Sequence, residues 1–126
     1  MRLVIVRHAE AAAGSPDELR PLTSDGKQQA REVGRRLRDE LGEPDAILSS
    51  PLLRARETAH ALGLGEPEPD DRLAPGATVE NVREAIDGRG ETVVVVGHQP
   101  DCGRIAAALG AEAEQFPPAG VCVVEL

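Results

Sequence analysis

Two histidines in this chain each follow directly on a short apolar run. His8 comes after residues 4–6 and beside Arg7, and His98 comes after residues 93–96. Runs of β-branched residues of this length predict strands buried on both faces, as in a parallel sheet. Ligands of open α/β sheets bind beyond the carboxyl ends of such strands. Histidines at that place, one of them beside an arginine, predict a nucleophile and a charge-stabilising partner, and therefore chemistry on phosphate.

A third segment, residues 49–56, is predicted to reach the same edge of the sheet. It contains Arg54, whose guanidinium can bind an anion there. Ser50 and Pro51 have the pattern of a helix N-cap followed by proline at the first helical position. Helices that begin at Ser50 and near Gln99 would point their N–H groups at this edge, where those groups favour an anion. A phosphoryl group is the predicted ligand.

Apolar runs alternate with helical periodicity along the whole chain. Strands are predicted at residues 4–6, 46–48, 92–96 and 121–126, with at most a short edge strand within residues 65–75. Helices are predicted to begin at Thr23 or Ser24, Ser50, Thr78 and near Pro100, and to end at Gly42, Gly63, Gly88 and Gly110. This alternation implies right-handed crossovers and a mainly parallel sheet. The predicted fold is α/β, a three-layer α/β/α sandwich formed by residues 1–126 as a single domain.

The composition argues against several classes of partner. The formal net charge is −8, so the surface gains no counterion release from nucleic acid or from an anionic membrane. Phe116 is the one residue among Phe, Trp and Tyr, which leaves no platform for stacking bases. We therefore expect no nucleic acid and no membrane as partners.

Cysteine usage and targeting signals predict a cytoplasmic location. Cys102 and Cys122 form no CxxC pair, and two cysteines make no disulfide framework, so a reducing compartment is expected. The first predicted strand begins at Leu3, which leaves no room for a signal peptide. No apolar run approaches the roughly 20 residues of a membrane span.

Four motifs occur in a fixed order on the predicted strand–helix boundaries. They are Arg7-His8-Ala9-Glu10, Arg20-Pro21-Leu22-Thr23 with Gly26, Ser50-Pro51-Leu52-Leu53-Arg54-Ala55-Arg56 with Thr58, and Gly97-His98-Gln99-Pro100. On these motifs the chain resembles the histidine phosphatase superfamily, also called phosphoglycerate-mutase-like, and within it the small SixA-type phosphohistidine phosphatases. The resemblance spans nearly the whole chain. It implies a metal-independent phosphatase that works through a phosphohistidine intermediate.

The resemblance also implies a role for each matching residue. His8 would attack phosphorus through one ring nitrogen and become phosphohistidine, which water would hydrolyse in a second step. Arg7 and Arg54 would clamp the equatorial oxygens by charge-assisted, bidentate hydrogen bonds. His98, protonated or as a neutral donor, would stabilise charge that develops in the transition state. Arg20 is a candidate for contact with the substrate.

The sequence departs from the family pattern in two places. Ala9 stands where the family usually has glycine, a change common among SixA-like members. Larger relatives carry a glutamate for the leaving oxygen after the second predicted helix, where this chain has Ala74. Glu10 and Asp71 are alternative proton donors. Glu10 and Gln99 are further candidates for contact with the substrate.

The same residues leave alternatives to a phosphatase that acts on a phosphohistidine protein. One is a phosphatase for small phosphate monoesters, with a phosphorylated metabolite as its substrate. Another is a non-catalytic phosphopeptide-binding module, which would use the clamp without reaction at His8. A metal site of His8, His98 and Asp101 is opposed by the adjacent guanidinium groups, which would repel a divalent cation. We therefore expect no metal and no cofactor.

Basic residues outside the motifs are predicted to be solvent-exposed. His60 lies on the second predicted helix without any motif context. The first predicted helix carries a group of cations interleaved with acids, Arg31, Arg35, Arg36 and Arg38. Such interleaving is typical of a solvated helix face.

Overall fold

The computed structural model describes residues 1–112 and 115–126, and it contains a five-stranded sheet between two layers of helices. The strands are β1 (Arg2–Arg7), β2 (Ala46–Ser49), β3 (Glu68–Pro69), β4 (Thr92–Gly97) and β5 (Val121–Glu125). The helices are α1 (Ser24–Leu41), α2 (Leu53–Ala61), α3 (Val79–Ile86) and α4 (Asp101–Ala108). The strand order is β3-β2-β4-β1-β5, and β5 pairs antiparallel with β1 while the other pairs are parallel. The predicted mainly parallel α/β fold is confirmed.

β1 lies at the centre of the molecule because it is apolar on both faces. Leu3 and Ile5 pack with residues of α3 and α4, whereas Val4 and Val6 pack with residues of α1 and α2. This division follows from the alternation of side chains along a strand. β4 repeats the pattern beside it in parallel register. The two helix layers therefore hold β1 and β4 in place, and with them the histidines that follow.

The predicted N-caps of α1 and α3 are confirmed. The hydroxyl of Thr23 accepts the N–H of Gly26 at 2.9 Å, and α1 starts one residue after Thr23. Thr78 and Asn81 form a reciprocal capping box at the start of α3. The short edge strand predicted within residues 65–75 is β3, which is two residues long and pairs with β2.

The predicted start of α2 at Ser50 is wrong, because the helix begins at Leu53. The Ser50 side chain is fully buried and closes a turn ahead of the helix, where its Oγ accepts the N–H of Leu52 at 3.2 Å. The same oxygen lies 2.8 Å from Nε2 of His98. The Ser50 hydroxyl, which the sequence predicts as the N-cap of α2, thus contacts Leu52 and His98 at the carboxyl edge of the sheet. The N-terminus of α4 follows Pro100, as predicted.

Helices α1 and α2 touch through their backbones at Gly34. A Cβ atom built on Gly34 would lie 1.8 Å from the carbonyl oxygen of Leu62. We expect Gly34→Ala to lower the free energy of unfolding by about 2–3 kcal/mol, measured by urea denaturation. Alanine is the better helix former by up to about 1 kcal/mol, so any loss comes from the steric contact.

Arg35→Ala, at the exposed next position of α1, is the control and should change stability by less than about 0.5 kcal/mol. A Gly34→Ala variant as stable as the parent protein would contradict the close packing of α1 on α2.

Candidate active site

The carboxyl ends of β2, β4 and β1 lie side by side and bring three segments together. β4 lies between the other two strands. The N–H of Ser50 donates to the carbonyl of Val96 at 3.0 Å, and the N–H of His8 donates to the carbonyl of Gly97 at 2.9 Å. His98 is therefore flanked by Ser50 on one side and His8 on the other. The ring centroids of the two histidines are 5.3 Å apart, so the predicted convergence of these residues is confirmed.

One hydrogen bond fixes which nitrogen of His8 can react. Nδ1 of His8 lies 2.7 Å from the carbonyl oxygen of Ala9. Because a carbonyl oxygen can only accept, Nδ1 of the neutral ring carries the hydrogen and Nε2 has the lone pair. Ala9 is held in turn, since its N–H donates to the hydroxyl of Thr58 at 3.0 Å, and that hydroxyl donates to the carbonyl of Arg54 at 2.7 Å. Nε2 is the atom of His8 available for nucleophilic attack.

The surroundings of His8 favour its neutral form. Burial is the main cause that lowers the pKa of His8 below 6.5. The hydrogen bond to the Ala9 carbonyl opposes this shift, and the positive charges of Arg54, Arg7 and Arg20 reinforce it. Three guanidinium groups therefore act electrostatically on one imidazole. At neutral pH His8 is an unprotonated base in a positive environment.

His98 is also neutral, which selects one of the two forms predicted for it. Burial, and then the charges of His8 and Arg54, lower the pKa of His98 to about 4. The hydroxyl of Ser50 already accepts from Leu52, and its own hydrogen has no acceptor other than His98 Nε2 among the described residues. Donation from Ser50 to Nε2 leaves the ring hydrogen of His98 on Nδ1. Nδ1 is buried and has no partner within residues 1–112 and 115–126, so its N–H is a donor that these residues leave unsatisfied.

Arg7 is anchored by a segment distant in sequence. Its Nη1 donates to the carbonyl of Phe116 at 2.9 Å. Its Nε is buried and has no hydrogen-bond acceptor in the part of the chain that the structure describes. A buried guanidinium nitrogen without an acceptor is costly unless an anion satisfies it. The anchored end orients the guanidinium, and the other donors stay available for a ligand.

Asp17 bridges Arg20 and Arg54 and was not among the predicted site residues. Arg54 donates to the carbonyl of Asp17 at 2.9 Å and to its Oδ2 at 3.2 Å, while Arg20 donates to its Oδ1 at 3.0 Å. The hydrogen bond from Arg20, followed by that from Arg54, lowers the pKa of Asp17. The Asp17 carboxylate is therefore ionised, and it uses guanidinium N–H groups that a phosphoryl group would need.

The remaining predicted contacts lie around this centre. The carboxylate of Glu10 accepts the hydroxyl of Thr23 at 2.8 Å, at the start of α1. Oε1 of Gln99 accepts the N–H of Gly103 at 2.8 Å, in the first turn of α4. Asp71 is exposed in a short 3₁₀ turn. The substrate contacts proposed for Glu10 and Gln99 stay predictions.

The third ligand of the metal alternative, Asp101, is engaged elsewhere. Its Oδ2 accepts the N–H of Gly76 at 2.8 Å. Within the described residues, no group of three His, Cys, Asp or Glu side chains lies close enough to hold a metal ion. That the activity needs no metal stays a prediction.

A histidine base among guanidinium groups, at the carboxyl ends of parallel strands, is typical of enzymes that transfer or hydrolyse phosphoryl groups. A family model described as histidine phosphatase superfamily (branch 1) matches residues 3–75. The chain belongs to this superfamily.

Individual relatives agree with the family model. An uncharacterized protein of Mycobacterium tuberculosis is 34% identical over 138 residues, covering 96% of this chain and 87% of its own length. Phosphohistidine phosphatase SixA of Escherichia coli is 32% identical over 119 residues, covering 86% of this chain and 74% of its own length. A structure of the protein histidine phosphatase SixA complexed with tungstate superposes with a TM-score of 0.87 at 28% identity, over 100% of this chain and 88% of that chain. The predicted family and the predicted phosphatase class of SixA type are confirmed.

The activity is expected to persist in mildly acidic solution. His8 is the predicted nucleophile, its protonation would remove the lone pair of Nε2, and its pKa lies below 6.5. The acid limb of kcat/KM should therefore have its midpoint below pH 6.5, since activity is lost only as the pH falls through the pKa of the free enzyme. Two aryl phosphates that ionise at different pH separate titration of the substrate from titration of the enzyme. A midpoint above pH 6.5 with both substrates would contradict the neutral His8.

Removal of the Asp17 carboxylate should strengthen anion binding. Asp17→Asn deletes a charge that competes for Arg20 and Arg54. The inhibition constant of inorganic phosphate is expected to fall by about two- to fivefold, the range of an exposed ion pair. Asp39→Asn, an equal charge change at an exposed position of α1, is the control. Weaker phosphate binding in Asp17→Asn would mean that Asp17 orients the arginines rather than competing for them.

Proposed function

We propose that this protein hydrolyses phosphohistidine in phosphorylated proteins, with His8 as the nucleophile. The observation that carries the proposal is the hydrogen bond from Nδ1 of His8 to Ala9, which presents Nε2 as a base among guanidinium groups. The relatives support it, since one is a phosphohistidine phosphatase and another is a protein histidine phosphatase solved in complex with tungstate, a tetrahedral oxyanion. A binding module would need the guanidinium groups but not a neutral, oriented imidazole.

In the proposed first step, Nε2 of His8 attacks phosphorus while the bond from phosphorus to the departing imidazole breaks. Arg7 and Arg54 bind the equatorial oxygens, and Arg54 exchanges Asp17 for the phosphoryl group. The Nδ1–H of His98 donates to an oxygen that gains charge in the transition state. In the second step water attacks phosphorus, Nε2 of His8 leaves as the neutral base, and inorganic phosphate is released.

Among the described residues, the carboxyl groups near the site are poor proton donors. This suits a substrate whose leaving group departs through nitrogen better than one whose leaving group departs through oxygen. Asp17 is ionised and cannot supply a proton. Glu10 accepts from Thr23, and Ala74 stands where larger relatives carry glutamate. An alkoxide needs a proton donor to depart, whereas the imidazole of phosphohistidine can carry a proton on its other ring nitrogen near neutral pH, since imidazole titrates at about 6.5, and it then leaves as the neutral base. Phosphohistidine is therefore the substrate whose hydrolysis depends least on a proton donor in this site.

A panel of substrates tests the proposal. We expect kcat/KM to decrease in the order phosphohistidine, p-nitrophenyl phosphate, phosphoserine, because the stability of the leaving group decreases in that order. Each reaction is run with and without EDTA, and the chelator is expected to have no effect. Glu10→Gln and Asp71→Asn should slow the monoesters more than phosphohistidine.

The alternatives give different results in the same panel. A phosphatase for small monoesters would hydrolyse phosphoserine or a phosphorylated metabolite best and would need one of these acids. A binding module would bind the substrates without turnover. The cytoplasmic location stays a prediction; none of the helices in the described residues combines the length and apolar character needed to cross a bilayer.

A further inference from the structure

A cleft beside the active site carries cations that the proposed mechanism does not use. It has a volume of about 750 Å³ and lies between α1, α2 and the segment that contains β3. Lys27 and Arg31 of α1 line it on one side. Arg56 and His60 line it from α2. Arg31 is exposed, as predicted, and it also faces this cleft. We call this site the α1–α2 cleft.

The cations of the α1–α2 cleft repel one another, and none of them is paired with a carboxylate within the described residues. Lys27 and Arg31 are four residues apart on one helix, a spacing at which like charges destabilise the helix. Within residues 1–112 and 115–126, neither of them forms an ion pair, and neither does Arg56. The chain has 22 acidic residues against 14 basic ones, so acids are plentiful. Unpaired cations facing one cleft on an acidic protein indicate a site for an external anion.

Two carboxylates also line the α1–α2 cleft, but one of them is engaged by the backbone. Oε1 of Glu57 accepts the N–H of Leu22 at 2.7 Å, which fixes the loop that precedes α1. The other carboxylate belongs to Glu66, on the segment before β3. Three cations therefore face two carboxylates, whereas the protein as a whole has a net charge of −8.

A second observation points to a ligand in the α1–α2 cleft. The side chain of Ser49 lines it and is buried, at 1% exposure, and its Oγ has no hydrogen-bond partner in the described part of the chain. A buried hydroxyl without a partner is costly, and a polar ligand would satisfy it. Ser49 is the last residue of β2, so this polar group lies at the active-site edge of the sheet.

The α1–α2 cleft lies near the active site, because two of its lining residues are next in sequence to residues of that site. Ser49 lines the cleft and Ser50 contacts His98; Leu53 lines the cleft and Arg54 belongs to the clamp. Neighbouring Cα atoms are about 3.8 Å apart. A polypeptide whose phosphorylated side chain reaches His8 can therefore reach the cleft within a few residues.

We propose that the α1–α2 cleft binds an acidic segment of the protein substrate that adjoins the phosphorylated residue. Carboxylates of that segment pair with Lys27, Arg31 and Arg56, and Ser49 donates to one of its polar groups. The proposal rests on the proposed function for the identity of the substrate. The affinity of the cleft for an acidic chain does not depend on the proposed function.

Binding of unphosphorylated peptides tests the α1–α2 cleft without requiring catalysis. The probes are a fluorescein-labelled peptide with Asp and Glu residues and the same peptide with Asn and Gln in their place. We expect the parent protein to bind the acidic peptide about tenfold more tightly at low salt, and the preference to shrink as salt screens it. The double variant Arg31→Gln/Arg56→Gln should bring the ratio of the two dissociation constants close to one.

Arg35→Gln/Arg36→Gln is the matched control. These arginines lie on the same helix beside a different cleft, where Glu32 and Asp39 balance their charge. The control variant should keep the preference for the acidic peptide. Equal binding of the two peptides by the parent protein, or an equal loss of preference in the control, would overturn the proposal.

A kinetic measurement links the α1–α2 cleft to the active site. The same two peptides, each carrying phosphohistidine, are compared as substrates. The acidic peptide should have the lower KM with a similar kcat, as expected of binding that is equal in the ground and transition states, and Arg31→Gln/Arg56→Gln should remove this difference. Absence of hydrolysis of either peptide would overturn the proposed function, while the binding measurement would still decide the role of the cleft.

Discussion

The hydrogen bond between Nδ1 of His8 and the Ala9 carbonyl is the contact on which the rest of the site depends. It fixes the ring orientation and the tautomer together, and the backbone at Ala9 that accepts it is itself held. Ala9 is fully buried, and its N–H is held by Thr58 from α2. Such a bond contributes about 1 kcal/mol to stability. Its consequence for the proposed chemistry is larger, since rotation of the ring would change which nitrogen of His8 faces the guanidinium groups.

Concentrating positive charge around a buried imidazole needs a counter-charge. Arg54 is buried at 7% exposure, and a buried guanidinium without an anion would be strongly unfavourable. Asp17 supplies that anion from an exposed loop, so the carboxylate can leave when a phosphoryl group arrives. The positive field has a second effect, because it helps to keep His8 and His98 neutral. The charges proposed to bind the phosphoryl group thus also favour the unprotonated form of His8, the proposed nucleophile.

Much of this arrangement could be predicted from local sequence. The parts that could not be predicted depend on contacts between residues that are distant in the sequence. The apolar runs before His8 and His98 are buried on both faces, so they indicated central strands and the edge where both histidines lie. The start of α2 was predicted wrongly because the Ser50 hydroxyl bonds to His98, 48 residues away. The pairing of Asp17 with Arg54 spans 37 residues. Its only local signal was the three-residue spacing from Asp17 to Arg20.

The α1–α2 cleft illustrates the same limit. Arg31 is exposed, as the interleaved charges predicted. Its position relative to Arg56 depends on how α1 packs on α2, and the two elements come close at Gly34, beside the carbonyl of Leu62. Composition describes the charge of a surface, and only the packing of the elements decides which charges face each other.

The central claim is that Nε2 of His8 carries the phosphoryl group during turnover. Rapid mixing with p-nitrophenyl phosphate, a quench in alkali where phosphohistidine is stable, proteolysis and fragmentation by mass spectrometry would locate the adduct. We predict a phosphoryl group on Nε2 of His8 that forms as p-nitrophenol is released and disappears as phosphate appears. An adduct on Nδ1 or on another residue would contradict the account, and so would turnover in a His8→Ala variant at the rate of the parent protein.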